Sequence, residues 1–395
     1  MASRLPLFLA GASLGATGHI VAVTISAIAA ERMTGNAALA GAPVAASVLG
    51  TAAGSSLWSA VLARRGQAFT LRLAYAVGAT GGLLALWATF VQSLPLLVLG
   101  LFVTGTGNGA TQLTRYLAAD LFPEASRGRA LSMVVWMGTV GAVAGPMLME
   151  PTARWASALG APETAGAYAT SSALFLLNGA LYLLGLRDRE AAAPTASQAE
   201  RPAARRFSLL SYPAARIALV CLVTGHVSMV FVMTMTPIHL QHQQHGLGIV
   251  GWVISGHILG MFALSPVVGW LVDRFGPRSV LAAGLTVLAS ATLLAASRPE
   301  SLPALGIALY VLGLGWNLGF VAGSALLNES LPEPERAVQR GFGDAVVWIA
   351  AALASFTSSL VYEATSFATL SLLALALTSL ALGSLVVLRP RTAAA

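Results

Sequence analysis

Two pairs of side chains in this sequence have the types and spacing of a soft-metal site. Met229 and Met233 stand four apart in "HVSMVFVM", and His257 and Met261 stand four apart in "GHILGM". Four residues make about one helical turn, so each pair shares a helix face. Thioethers are neutral, soft donors that suit Cu(I), whereas Zn(II), Mn(II) and Fe(II) ask for carboxylates or thiolates. Neutral ligands leave the ion's whole charge in a low-dielectric site, and the desolvation cost rises with the square of that charge, so a monovalent ion is favoured. A histidine with no partner at membrane depth is itself costly. The spacing predicts ligation of a soft metal, copper first, by Met229, Met233, His257 and Met261.

The elements that must position these residues are membrane helices. Of 395 residues, 56% are hydrophobic and 9% charged, where a soluble domain carries about 25% charged. Mean hydropathy is +0.77. Repeated apolar runs of helical length make this an all-α integral membrane protein. Helices are expected over 5–29, 38–63, 69–90, 95–118, 129–150, 168–187, 214–238, 247–272, 279–297, 302–327, 343–363 and 366–388, twelve in all. The opening stretch mimics a signal peptide, but its apolar run exceeds an h-region, and it is read as the first helix, retained. All 22 basic residues are arginines, and only Arg32, Arg154 and Arg298 fall on the side facing the loop after the first helix. The positive-inside rule makes the opposite, crowded side cytoplasmic, with both termini there. The net charge of +7 therefore records topology, not a nucleic-acid partner. The single cysteine, Cys221, excludes an intrachain disulfide.

The chain repeats itself. "TGHIVAVTIS" from Thr17 returns as "TGHVSMVFVM" from Thr224, and "SVLGT" from Ser47 as "HILGM" from His257. "VVW" ending at Trp136 returns ending at Trp348, and "FPEASRGRA" around Pro123 returns as "LPEPERAVQ" around Pro332. Four matches at nearly one offset predict a 6+6 duplication. The halves are residues 1–187 and 214–395, joined by the Ala-, Pro- and Arg-rich linker 188–213. Met229, Met233, His257 and Met261 then correspond to Ala22, Ser26, Ser47 and Thr51, so the proposed ligands are differences on a shared frame. His226 has a mate in His19.

At this point the chain resembles the major facilitator superfamily, whose twelve helices carry cargo at the midplane between two halves. Gly269-Trp-Leu-Val-Asp273-Arg274-Phe-Gly276-Pro-Arg278 is similar to the family's loop between helices 8 and 9. The resemblance implies a gating latch at Asp273, Arg274 and Arg278; in the first half Ala63 stands where the aspartate should be. Gly141 to Pro146 is similar to a helix-5 motif of exporters in the same superfamily. Paired M-x-x-x-M and H-x-x-x-M motifs resemble those of the CcoA-type copper importers of bacterial inner membranes. That resemblance implies copper import by alternating access for cytochrome oxidase assembly, without enzymatic activity or cofactor. A cytoplasmic copper chaperone and the lipid bilayer are the implied partners, and the four named residues the ligands.

Accessory copper positions follow from residue type. His226 and His19 are candidate ligands; His239, His242 and His245 suit a collecting funnel; Met133 and Met137 lie along a possible route; Cys221 suits an exit. Carboxylates stand at helix ends, away from the span centres, which argues against a drug–proton antiporter. The alternative reading is an exporter of hydrophobic compounds, with the methionines as adaptable pocket lining.

Overall fold

The computed structural model describes residues 4–119, 124–186, 208–332 and 336–387. The described residues form fourteen α-helices. In order they are α1 Leu5–Thr34, α2 Gly41–Arg65, α3 Gln67–Val91, α4 Leu94–Ala119, α5 Glu124–Met147, α6 Met149–Ala158 and α7 Glu163–Gly185. Then come α8 Pro213–His242, α9 Leu247–Phe262, α10 Ser265–Phe275, α11 Pro277–Ser297, α12 Leu302–Glu329, α13 Arg336–Ala364 and α14 Phe367–Val387. Among the described residues eleven spans are long and apolar enough to cross a membrane, with α9 and α10 counted as one; α5 and α6, bent by 45°, make a twelfth when taken as one span. Most of the linker, with Asp120, Glu333 and Glu335, lies outside the described residues.

Two expected helices are broken. The fifth stops at Met147, one residue past Pro146, whose ring removes a backbone donor and clashes with the preceding turn. The eighth breaks between Phe262 and Ser265, and Pro266 sits in the first turn of its second segment. The seventh runs on to His242, so His239 and His242 sit on helix past the expected end at residue 238, and His245 follows it.

The chain forms two compact units, Met1–Gln198 with Thr236–Ser255, and Ala199–Met235 with Gly256–Ala395. In the first unit α2 and α3 pack on α4, and α7 packs on α3 and α1. Its core is aromatic: Tyr75 stacks on Tyr182 at 5.6 Å and 5°, and Phe8 and Phe175 flank them. Asn178 donates to the Gly11 carbonyl at 2.8 Å, bridging α7 and α1. In the second unit α11 packs against α12 and α14, and Ser228 of α8 donates to the Ala374 carbonyl of α14. Large apolar side chains such as Leu184 (88% exposed) and Trp87 (59%) stay outside, as lipid-facing residues do.

The duplication shows in backbone detail. A Cβ added at Gly50 would lie 2.0 Å from the Phe102 carbonyl, and one at Gly105 2.2 Å from the Ser47 carbonyl. In the second unit a Cβ at Gly260 would lie 2.3 Å from the Tyr310 carbonyl, and one at Gly313 2.3 Å from the His257 carbonyl. Both units thus press two helices backbone to backbone through reciprocal glycines, α2 on α4 and α9 on α12. Lipid supplies no hydrophobic drive between helices, so such close van der Waals contact is what holds them. The turns after α2 and α10 match too, with Gly66 at φ 77° and Gly276 at φ 79°.

Where α1 ends, the first unit carries a charged cleft of about 610 Å³ lined by Arg32, Glu150, Arg154, Glu163, Gln241 and Trp252. Arg32 donates to Glu163 at 2.8 Å and to Gln241 at 3.1 Å, and His242 meets Glu31 at 2.6 Å. The Arg32 and Glu163 side chains are 44% and 51% exposed, so water competes with the pair and it contributes at most about 1 kcal/mol. Arg32→Ala is accordingly expected to lower the thermal midpoint of the purified protein by no more than about 2 °C; a fall of ten degrees would assign this cleft a structural role.

Candidate functional site

His257 is fully buried on α9, and its Nδ1 donates to the Leu309 carbonyl of α12 at 2.8 Å. That bond is available because the Gly260–Gly313 crossing brings the two backbones together. It assigns the ring proton to Nδ1 and leaves the Nε2 lone pair buried, with no partner among the described residues. Met261 follows one turn later and is half-buried. Met229 is buried on α8 and Met233 half-buried one turn on.

The accessory residues do not converge. His239 is buried and bonds Gln243 at 2.8 Å, while His242 pairs with Glu31 and His245 lies in the following turn. His239 and His242 stand three apart on α8, on neighbouring positions of one helix face, each with its own side-chain partner. Met133 is 41% exposed on α5, and Cys221 turns its sulfur toward the Ala381 carbonyl of α14. His19 is half-buried on α1, its Nδ1 without a partner among the described residues. Among those residues no group of three or more His, Cys, Asp or Glu side chains is placed to hold a metal ion. Asp273 and Arg274 are exposed at the end of α10, and Arg278 donates to the Leu385 carbonyl, capping α14. Arg72 does the same for the Leu186 carbonyl after α7. The helix-5 glycines serve packing: a Cβ at Gly141 would meet the Ser13 carbonyl at 2.2 Å.

A second constellation is aromatic. Trp316 of α12 stacks on Phe320 at 4.8 Å and 15°, and Phe262 stands edge-on to Trp316 at 6.0 Å. His226 of α8 stands edge-on to both Trp316 and Trp348 of α13, at 5.6 Å in each case. The indole Nε1 of Trp316 donates to His226 Nδ1 at 3.0 Å. Residues 226, 262 and 316 each lie within two positions of the middle of their spans, and Trp348 within five of the middle of Gly341–Ala364. At 1.5 Å rise per residue they share one depth to within about 7 Å. Trp348 keeps 40% of its surface exposed, while Trp316 and His226 are buried. Membrane tryptophans concentrate at the two interfaces, so a tryptophan pair at mid-depth was the available signal. None of the buried polar side chains among the described residues is a carboxylate.

The sequence profile of the Major Facilitator Superfamily matches residues 7–250 and 227–395. The chain belongs to the major facilitator superfamily. It is 32% identical over 371 residues to the uncharacterised MFS-type transporter YddS of Bacillus subtilis, covering 92% of this chain and 84% of the relative. It is 27% identical over 385 residues to the riboflavin transporter RfnT of Brucella anthropi, covering 97% and 95%. The fold is that of the nucleoside transporter NupG, with TM-score 0.75 at 14% identity over 97% of this chain and 98% of that one. It is likewise that of the xylose transporter XylE of E. coli in an inward-open conformation, with TM-score 0.75 at 17% identity over 99% and 97%. This facilitator is thus a multi-pass membrane transporter of the twelve-span, 6+6 kind, and the relatives named are transporters throughout.

Proposed function

We propose that this facilitator moves a small organic solute bearing a planar aromatic ring across a bacterial inner membrane, by alternating access of its two halves. The observation that carries the reading is the ring cluster of Trp316, Phe320, His226 and Trp348 at the depth where facilitators bind cargo. Stacked and edge-on rings form a rigid wall that takes up another flat ring with little loss of side-chain freedom. RfnT, whose name gives riboflavin as cargo, supports the same reading, because riboflavin is built on a flat fused-ring system. The arginine distribution supports a topology with both termini in the cytoplasm.

Copper import remains the second reading, and one atom of His257 favours it. Histidine ligands to metals commonly donate one ring N–H to a backbone carbonyl and present the other nitrogen to the ion, as Nδ1 and Nε2 of His257 are disposed. Met261 shares that helix face, and import would feed a copper chaperone for oxidase assembly. Exporter function has less support, since the helix-5 motif that suggested it is occupied in packing α5 on α1.

Uptake into cells expressing the protein separates the readings. Radiolabelled riboflavin is expected to accumulate above the vector control, and radioactive copper is not, with copper content the same in the wild type and His257→Ala. Copper uptake that disappears in His257→Ala, with no flavin uptake, would establish the second reading in place of the first.

A further inference from the structure

The hydrogen bond between Trp316 and His226 determines what a cargo must offer. An indole N–H is a donor only, so His226 Nδ1 must present its lone pair to Trp316. The imidazole is therefore neutral, and its one proton sits on Nε2. Among the described residues nothing accepts from Nε2, and that atom is not sealed in the packed interior. Trp316 of α12 and Trp348 of α13 hold the imidazole edge-on and Phe320 of α12 lies tilted beside it, so the Nε2–H direction is fixed by its neighbours.

We infer that His226 is a specificity-determining hydrogen-bond donor and that the cargo carries an acceptor in the plane of its aromatic ring, such as a ring carbonyl or a ring nitrogen. This rests on the aromatic reading proposed above and narrows it to planar heterocycles. A hydrocarbon ring would stack equally well but would leave Nε2–H without an acceptor once water is expelled, which a buried polar group tolerates poorly. The same bond removes His226 from the metal-ligand candidates through Nδ1, since that lone pair is already engaged. His19, its mate in the first unit, lies in a unit where Asn108 stands at the place of Trp316 in the repeated Gly-x-Gly frame.

The test uses radiolabelled riboflavin as the probe in cells expressing the full chain, with membrane amounts matched by a fluorescent tag. His226→Gln preserves an acceptor for Trp316 and an outward amide donor, and is expected to hold KM within about threefold. His226→Phe in a Trp316→Phe background keeps flat rings and orphans no indole; relative to Trp316→Phe alone its KM is expected to rise about ten- to hundredfold with kcat little changed. Nitrogen NMR of histidine-labelled protein in lipid nanodiscs is expected to report the Nε2–H tautomer at His226, lost in Trp316→Phe. An unchanged KM in the double variant, or an Nδ1–H tautomer in the wild type, overturns the donor role while leaving ring stacking in place. Absence of riboflavin uptake by the unsubstituted protein overturns the cargo reading and the donor role with it.

Discussion

Gly313→Ala is expected to leave little folded protein in the membrane, whereas Gly306→Ala, seven residues earlier on the same helix, is expected to be harmless. The alanine Cβ at 313 would sit 2.3 Å from the His257 carbonyl and 3.0 Å from the Met261 amide. Both are backbone atoms, so no side chain can swing aside and α9 must move off α12 as a body. Overpacking a tight interior costs about 1–3 kcal/mol where side chains can adjust. Here the crossing would also lose its close van der Waals contacts, and lipid offers no hydrophobic force to restore them. The Leu309–His257 hydrogen bond would stretch with it. At Gly306 nothing lies within 4 Å, and alanine gains up to about 1 kcal/mol in helix propensity. Thermal melting of detergent-solubilised protein compares the two; equal midpoints would remove the glycine crossing as a structural determinant.

Trp316→Ala is expected to reduce flavin uptake by about ten- to hundredfold while the protein still inserts. Removing this ring takes away the partner stacked on Phe320 and the edge-on neighbours of Phe262 and His226. Alanine replacement of an aromatic that stacks on a flat heterocycle costs about 1–3 kcal/mol per stacked ring. It also frees His226 Nδ1, so the imidazole no longer holds one tautomer. Trp316→Phe restores a ring without the N–H and is expected to recover part of the loss. Initial uptake rates across a riboflavin concentration series provide the measurement. A Trp316→Ala protein with wild-type kinetics would show that the cargo does not meet this wall.

The span limits were legible to within a few residues because lipid forces every backbone polar group into helical hydrogen bonds, which writes itself into composition. The repeat was legible for a related reason: the glycines at 50, 260, 105 and 313 occupy places no larger residue fits. The breaks after Met147 and Phe262 were not, since the apolar pattern runs straight across them. At the site, residue chemistry directed attention to His257 and Met261, and the orphaned Nε2 keeps that pair of interest. It missed Trp316 and Trp348 because their meaning comes from convergence of four helices distant in sequence. The end of the seventh helix was set four residues too early, because nothing in "HLQHQQH" announces that the helix carries on to His242.

The reciprocal glycine crossings have an evolutionary consequence. Because α2 meets α4, and α9 meets α12, through main-chain atoms, the geometry of each crossing is indifferent to the side chains on the neighbouring turns. After duplication, positions 47 and 257, 51 and 261, or 108 and 316 were free to diverge without moving a helix. Serine became histidine's counterpart, and asparagine that of tryptophan, on one unaltered chassis. Such an arrangement uncouples residue identity at these positions from the packing of the helices that carry them.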